Sequence, residues 1–319
     1  MTLKTLAAFP SAESAWRASL RFLLDDAEEV SSTLDPLSVG SLFGKGRRPT
    51  REALAIGFSI TNPRARLCGS VLRRFRPGAA IAYTLWTLAG SDDLASIAFY
   101  NPLAVAFSDD SQRLRAAPGG RIFAGPGNQF AAAINLIKAD SGTRRALIQI
   151  YWPTDLLTPS RDNSCTGSVH FLVRGGALHC VVTMRSQSAA MVMPYDVFLL
   201  TMLHEMAAVE LGLPLGEYKH FCHSLHFYLD EERLVRGIVE EDTKEPPPMP
   251  AMLASALAAR DVLVGAERNI RERLTLDPNA TISFQRYGMD AYWARLFEIM
   301  VSEWRAGLTG RESVGSRRR

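Results

Sequence analysis

Cysteine is scarce in this 319-residue chain: Cys68, Cys165, Cys180 and Cys222 are the four, and no two form a Cys-x-x-Cys pair. That excludes a disulfide framework. A chain of this length needs none, so a reducing, cytoplasmic setting is expected. Long apolar runs are lacking as well. No uncharged stretch approaches the ~18 residues of a membrane span, and "MTLKTLAAFPSAESAWRASL" has no apolar core of the secretory type. Neither a membrane partner nor export is expected. A dominant charge is also missing. The net charge is +3, part of it in Arg317, Arg318 and Arg319, which gives no reason to expect nucleic acid as a partner. What is present is 47% hydrophobic and 22% charged, ample for a large core.

Periodicity assigns the elements. Trp16, Leu20, Leu23 and Leu24 recur at helical spacing and predict an amphipathic helix over Ser14–Val30. "SVGSLFGKGRRPT" reads as a basic, glycine-rich loop, and "ALAIGFSI" as a strand. "GAAIAYTLWTLAG" predicts a buried helix closed by Gly90. "FAAAINLIKAD" is a further helix and "RRALIQIYW" a strand. "PTDLLTPSRDNS" then reads as a long polar loop that delivers Cys165. "SVHFLVRGGALHCVVTMRS" is a hairpin turning at Gly175–Gly176. "DVFLLTMLHEMAAVELG" is apolar on every side, which marks a helix inside the core. "YKHFCHSLHFYL" is a strand, and "EDTKEPPPMPAM" a proline-rich linker before helices at about Leu253–Leu274 and Asp290–Ala306. Strands lie between helices, so the fold class is α/β. The whole of 1–319 is read as one domain, with 243–319 a divergent helical C-terminal extension.

Several residues carry chemistry. Cys165 closes a polar loop ahead of an apolar strand, where nearby arginines are expected to lower its pKa and favour a nucleophilic thiolate. Arg47–Arg48 and Arg144–Arg145 are either solvated pairs or phosphate ligands, since guanidinium matches phosphate oxygens. His220, Cys222 and His226 share one face of a strand and converge poorly on a tetrahedral ion, so no metal is expected. His226 and Tyr228 share that face as a hydrogen-bonding pair. Asp196, after Pro194, is either a helix N-cap or an acid that pairs with a base edge.

The order Cys165, Arg185–Ser186, Pro194–Tyr195–Asp196, His226–Tyr228 resembles the thymidylate synthase superfamily, whose nucleophile, Arg-Ser pair, Pro-Phe-Asn and His-x-Tyr follow at matching spacings. The resemblance covers roughly Ser38 to Asp230. It implies a thymidylate synthase-like fold: a mixed sheet packed against helices, the sheet forming a homodimer interface. It implies that Cys165 adds to C6 of a pyrimidine nucleoside monophosphate, activating C5 for a one-carbon unit from 5,10-methylenetetrahydrofolate. Phosphate would be held by Arg185, Ser186, Arg47 or Arg48, and the partner subunit's counterparts of Arg144 and Arg145. His226 and Tyr228 would grip the sugar. The chain departs from the family at three telling places. Asp196 stands where members that use uracil carry Asn, and is similar to deoxycytidylate hydroxymethylase-like members; cytosine offers an acceptor at N3 and a donor at N4, which a carboxyl group can match. Tyr83 falls at the family's proton-transfer glutamate, and Ser188 at its folate-contacting aspartate. Hydroxymethylation of a cytidylate, CMP or dCMP, is therefore the expected activity. A folate-independent enzyme of this fold and a nucleotide-binding paralogue without catalysis are the alternatives.

Overall fold

The computed structural model describes residues 6–31, 48–125 and 127–315. The strands are β1 (Ala7–Phe9), β2 (Glu28–Val30), β3 (Thr50–Ile60), β4 (Leu147–Gln149), β5 (Thr166–Arg174), β6 (Ala177–Met184), β7 (Gln187–Ser188) and β8 (Leu215–Tyr228). The helices are α1 (Ala12–Asp25), α2 (Pro77–Leu88), α3 (Leu94–Tyr100), α4 (Gln129–Ala139), α5 (Pro153–Leu157), α6 (Met193–Leu211), α7 (Glu232–Glu240), α8 (Arg260–Leu276) and α9 (Ala291–Gly315). The strands form one eight-stranded mixed sheet in the order β1-β3-β8-β6-β5-β4, with β2 on β3 and β7 on β8. β8 runs antiparallel to β3 and parallel to β6.

One face of the sheet is the core. Ile148, Val169, Phe171, Leu178, Cys180, Val182, Met184, Tyr218, His220 and Cys222 are all buried on it, under α6. That helix is buried on nearly every side, as its uniform apolarity requires. Its His204 donates Nε2–H to the Leu178 carbonyl (2.7 Å) and so fastens helix to sheet. The hairpin turns at Gly175 and Gly176, both with positive φ (57° and 78°), which glycine adopts without steric cost. The opposite face is open. Leu147, His170, Val181 and Lys219 pair in one row across β4, β5, β6 and β8. Gln149, Ser168, Thr183 and Phe221 form the next row, in which Phe221 is 37% exposed, as Leu147 is 47% in the first.

Four local expectations change. The predicted first helix ends at Asp25, because Glu28–Val30 pairs with β3 instead. The "polar loop" before Cys165 begins with the short helix α5, started by Pro153 and held by the buried Arg121–Asp155 ion pair. The strand after Arg144–Arg145 is only three residues long. Helix α7, absent from the sequence reading, follows β8 after the 3-10 turn Leu229–Glu231, with Val235 and Ile238 inward. Beyond the linker, α8 and α9 send Leu263, Ile270, Leu274, Trp293, Phe297 and Met300 into the same core. Each such large side chain contributes roughly 1.5–3 kcal/mol on burial. The start of α2 docks on α9 so closely that a Cβ at Gly78 would lie 2.9 Å from that of Glu303. Glu303 accepts from the Gly78 N–H (2.9 Å) and from Arg76 Nε (3.0 Å).

Candidate active site

The site is built from segments far apart in the chain. Cys165 precedes β5, and Arg185 ends β6 on the neighbouring strand. The Arg185 N–H donates to the Cys165 carbonyl (2.8 Å). Its guanidinium reaches back to the carbonyls of Ser164 (Nε, 2.7 Å) and Asn163 (Nη2, 3.1 Å). Arg185 thus braces the loop that presents the sulfur. From the other side the Ala116 N–H donates to the Asp162 carboxylate (2.7 Å), and Asn163 Nδ2 donates to the Asp155 carbonyl (3.1 Å).

Cys165 is open to solvent, unlike the three buried cysteines. Surrounding protein nevertheless desolvates its thiol and raises its pKa; Arg185 opposes the rise, while Asp196 and Asp162 add to it. The expected lowering by arginine is therefore overturned. Burial outweighs Arg185, the one cation among the described residues that lowers it, and two carboxylates sit nearby. Cys222, buried beneath, is pushed up to about 12 by desolvation.

Asp196 lies in the first turn of α6 but does not cap it. The N-cap position belongs to Val192, and no side chain bonds there. The helix starts earlier than the apolar run suggests, at Met193–Pro194, which moves Asp196 inside the turn. Its carboxylate accepts from Gln187 Nε2 (2.8 Å). Burial raises its pKa to about 6, against the lowering by Gln187. Gln187 belongs to β7, whose partner Ser188 pairs with His226 of β8. Gln187 Oε1 and Ser188 Oγ are both buried without a hydrogen-bond partner among the described residues.

Tyr83, on α2, stacks on Trp86 (centroids 5.7 Å apart). Its phenol is raised by burial first, then by the charges of Asp196, Asp162 and Cys165. It cannot take the place of a carboxylate as a base near neutral pH. His226 and Tyr228 meet edge to face (5.4 Å). Burial lowers the His226 pKa, and Glu52, its cross-strand partner, resists. The Arg48 guanidinium lies over the Tyr228 ring (3.7 Å) and pairs with Asp230 (2.6 Å) and Glu231 (3.3 Å).

The structure therefore brings Arg185, Tyr83, Asp196 and Tyr228 within electrostatic reach of Cys165, with His226 and Arg48 against the Tyr228 ring and Ser186 and Ser188 following Arg185 in the chain. Arg47 lies outside the described residues. Arg144 and Arg145 are exposed ahead of β4, and no hydrogen bond or ion pair among the described residues joins them to Cys165. Sequence reasoning missed Gln187 and Asp162. Both were visible as polar residues one or three positions from a named site residue, but their inward aim depends on the strand and loop geometry.

Residues 106–262 match the family model described as Thymidylate synthase. Over that segment, just under half of the chain, the sequence is similar to thymidylate synthases. The matched segment holds Cys165, Arg185, Asp196, His226 and Tyr228, and leaves Tyr83 and Arg48 outside it. A deoxyuridylate hydroxymethyltransferase of Delftia phage PhiW-14 is 26% identical over 233 residues, 67% of this chain and 64% of that protein. One of the same name from Bacillus phage SP01 is 29% identical over 206 residues, 59% of this chain and 52% of that protein. A putative thymidylate synthase of Methanocaldococcus jannaschii is 25% identical over 230 residues, 70% of this chain and 90% of the other. The chain thus spans less than two thirds of the two phage proteins. No helix among the described residues is long and apolar enough to cross a membrane.

Proposed function

We propose that this chain is a one-carbon transferase that modifies C5 of a pyrimidine nucleoside monophosphate, and that its base is cytosine and its product a hydroxymethyl group. The observation that carries the reading is the juxtaposition of an open cysteine, an arginine bracing its loop and a buried, readily protonated carboxyl at the start of a core helix. In the reaction the Cys165 thiolate bonds to C6. The C5–C6 π pair moves to C5, which takes up the one-carbon unit. Loss of the C5 proton, with departure of the carrier's amine from the new carbon, leaves an exocyclic methylene; water adds to it and gives up a proton, and expulsion of the Cys165 thiolate restores the ring double bond. Arg185, Ser186 and Arg48 or Arg47 hold phosphate, which fixes the ring over sulfur. Arg48 must then exchange its present carboxylate partners for the ligand. His226 and Tyr228 hold the sugar.

Methylenetetrahydrofolate supplies the carbon at the formaldehyde oxidation level when bound. The residues fit such a group: Ser188 offers a buried hydroxyl with no hydrogen-bond partner among the described residues, and Met191 (39% exposed) and Val192 (45% exposed) present apolar surface beside it. The chain is further proposed to act as a homodimer through the open sheet face, with Arg144 and Arg145 reaching the other subunit's phosphate. The exposed Leu147 and Phe221 on that face support this. Four free cysteines support a cytoplasmic setting.

A second reading is a uridylate substrate, favoured by the phage relatives, whose names specify deoxyuridylate. Incubation with CMP, dCMP, UMP and dUMP, with and without methylenetetrahydrofolate, decides by mass spectrometry. A 30 Da gain on a cytidylate only with folate is expected, being CH2O. The Cys165→Ser variant should bind nucleotide and give no product. A gain confined to uridylates, or turnover that survives in Cys165→Ser, would refute the proposal.

A further inference from the structure

We propose that Gln187 is a positioning residue that sets the polarity of Asp196, so that the pair matches a 4-aminopyrimidine and rejects a 4-oxopyrimidine. This rests on the cytosine reading above and names what enforces it.

Gln187 is 2% exposed and gives its Nε2–H to Asp196 Oδ2 at 2.8 Å. Its Oε1 has no partner among the described residues. Among the described residues no other hydrogen bond fixes the amide, so the contact with Asp196 decides which end faces the carboxyl group. A carboxylate demands the N–H end. The consequence falls on Asp196. Because Oδ2 already accepts a hydrogen, a proton taken up by this acid goes to Oδ1. The neutral group then has a donor at Oδ1 and an acceptor, with a free lone pair, at Oδ2. Cytosine offers the complement: N3 accepts from Oδ1–H while N4–H donates to Oδ2. Uracil reverses both needs. Its N3–H requires an acceptor and its O4 a donor, and Oδ2 has no hydrogen to give. The other ionisable groups bearing on Asp196 are Tyr83 on α2, Cys165 ahead of β5, and Tyr218 and Cys222 on β8. Burial raises the pKa of all four, which favours their neutral forms, so none supplies a competing charge. β7 fixes the position: Gln187 pairs with Leu225 and Ser188 with His226, which ties the amide to the strand carrying His226.

The test is calorimetric titration of CMP and UMP into the full-length wild type and Gln187→Met, across pH 5 to 8. The wild type should prefer CMP, increasingly so as the pH falls and Asp196 takes up its proton. Gln187→Met keeps the bulk and loses the donor. Its CMP-to-UMP affinity ratio should drop roughly tenfold, and the midpoint of its pH dependence should move up, because the bond that favours the ionised carboxyl is gone. A purely structural role would weaken both nucleotides equally and leave the midpoint in place; that outcome overturns the inference and leaves the cytosine reading standing. A wild type that shows no preference for CMP overturns both. Should Gln187→Met not fold, Gln187→Glu serves instead. Its added acid can donate only when protonated, so CMP preference should fade as the pH rises; a ratio equal to wild type throughout overturns the inference.

Discussion

Asp196 pays for its readiness to change protonation. In the folded, ligand-free protein its pKa is about 6, from an ordinary 3.8, because burial disfavours the charge. The native state therefore holds more protons than the unfolded state between about pH 4 and 6, and stability falls as the pH rises through that window. At pH 7 the penalty is fully present. Asp196→Asn, which keeps a carbonyl for Gln187 and removes the charge, should raise stability at pH 7 by on the order of 1–3 kcal/mol. The gain should vanish near pH 4. Chemical denaturation at both pH values checks this; an equal or lower stability for the variant at pH 7 would mean that the carboxyl is well solvated. A helix-capping role predicts no such pH-dependent gain, since Asn and Asp cap about equally, and the cap position is in any case occupied by Val192.

At the scale of elements, α6 and β8 both contribute to the core, and each contains a buried histidine that is kept neutral. His204 on α6 is depressed to about 4 and His220 on β8 to about 3, both chiefly by desolvation. His220 stacks on Phe58 (4.9 Å) and shares a hydrogen bond with the Tyr218 hydroxyl (2.8 Å). In the unfolded chain both rings protonate near pH 6.5. Stability is thus full above that value and is lost as the pH falls towards 4, by up to about 1.4 kcal/mol per pH unit for each ring. His204→Gln can still donate to the Leu178 carbonyl but does not titrate in this range. Its melting temperature should decline less than that of the wild type between pH 6.5 and 5. That window lies above the titration of Glu205, whose carboxylate is held down by Arg66 despite its burial. Parallel pH profiles for the two proteins would show that His204 is protonated in the fold. The Arg66–Glu205 pair is itself an element-scale tie: Glu205 on α6 also accepts from Arg64 (2.7 Å) and from the Met252 N–H (3.0 Å). The proline-rich linker is thereby bound, at its last residue, to α6.

For the whole molecule, the open sheet face and the Arg144 and Arg145 side chains at its edge are exposed, and no ion pair among the described residues engages those two arginines. If two chains join there and exchange arginines, each cleft is composite. Mixing Cys165→Ser with Arg145→Ala and allowing subunits to exchange should then restore activity, up to about a quarter of wild type for random pairing, since one hybrid site keeps both groups. Each parent alone should be nearly inactive. Sedimentation as a monomer at assay concentration, or no recovery on mixing, would refute the shared site.

Much of this was legible without coordinates, for a physical reason in each case. The hairpin at Gly175–Gly176, the strand through His226 and Tyr228 and the all-apolar α6 follow from local pattern, because strand alternation, turn conformation and uniform burial leave their marks on neighbouring residues. The order of Cys165, Arg185, Asp196, His226 and Tyr228 likewise survives in linear form. Long-range packing determined the rest. The sequence could not say that Asp196 lies one turn inside its helix, since the start of α6 depends on what surrounds Met193 and Pro194. It placed Cys165 near arginine, yet the sign of its pKa shift came from burial and from Asp162 and Asp196, which only the folded chain brings close. Gln187 was one polar residue in a short strand until β7 aligned on β8 and turned its amide onto Asp196. Charge and hydrogen-bond balance at the site are sums over all neighbours in space, and those neighbours come from segments far apart in the chain.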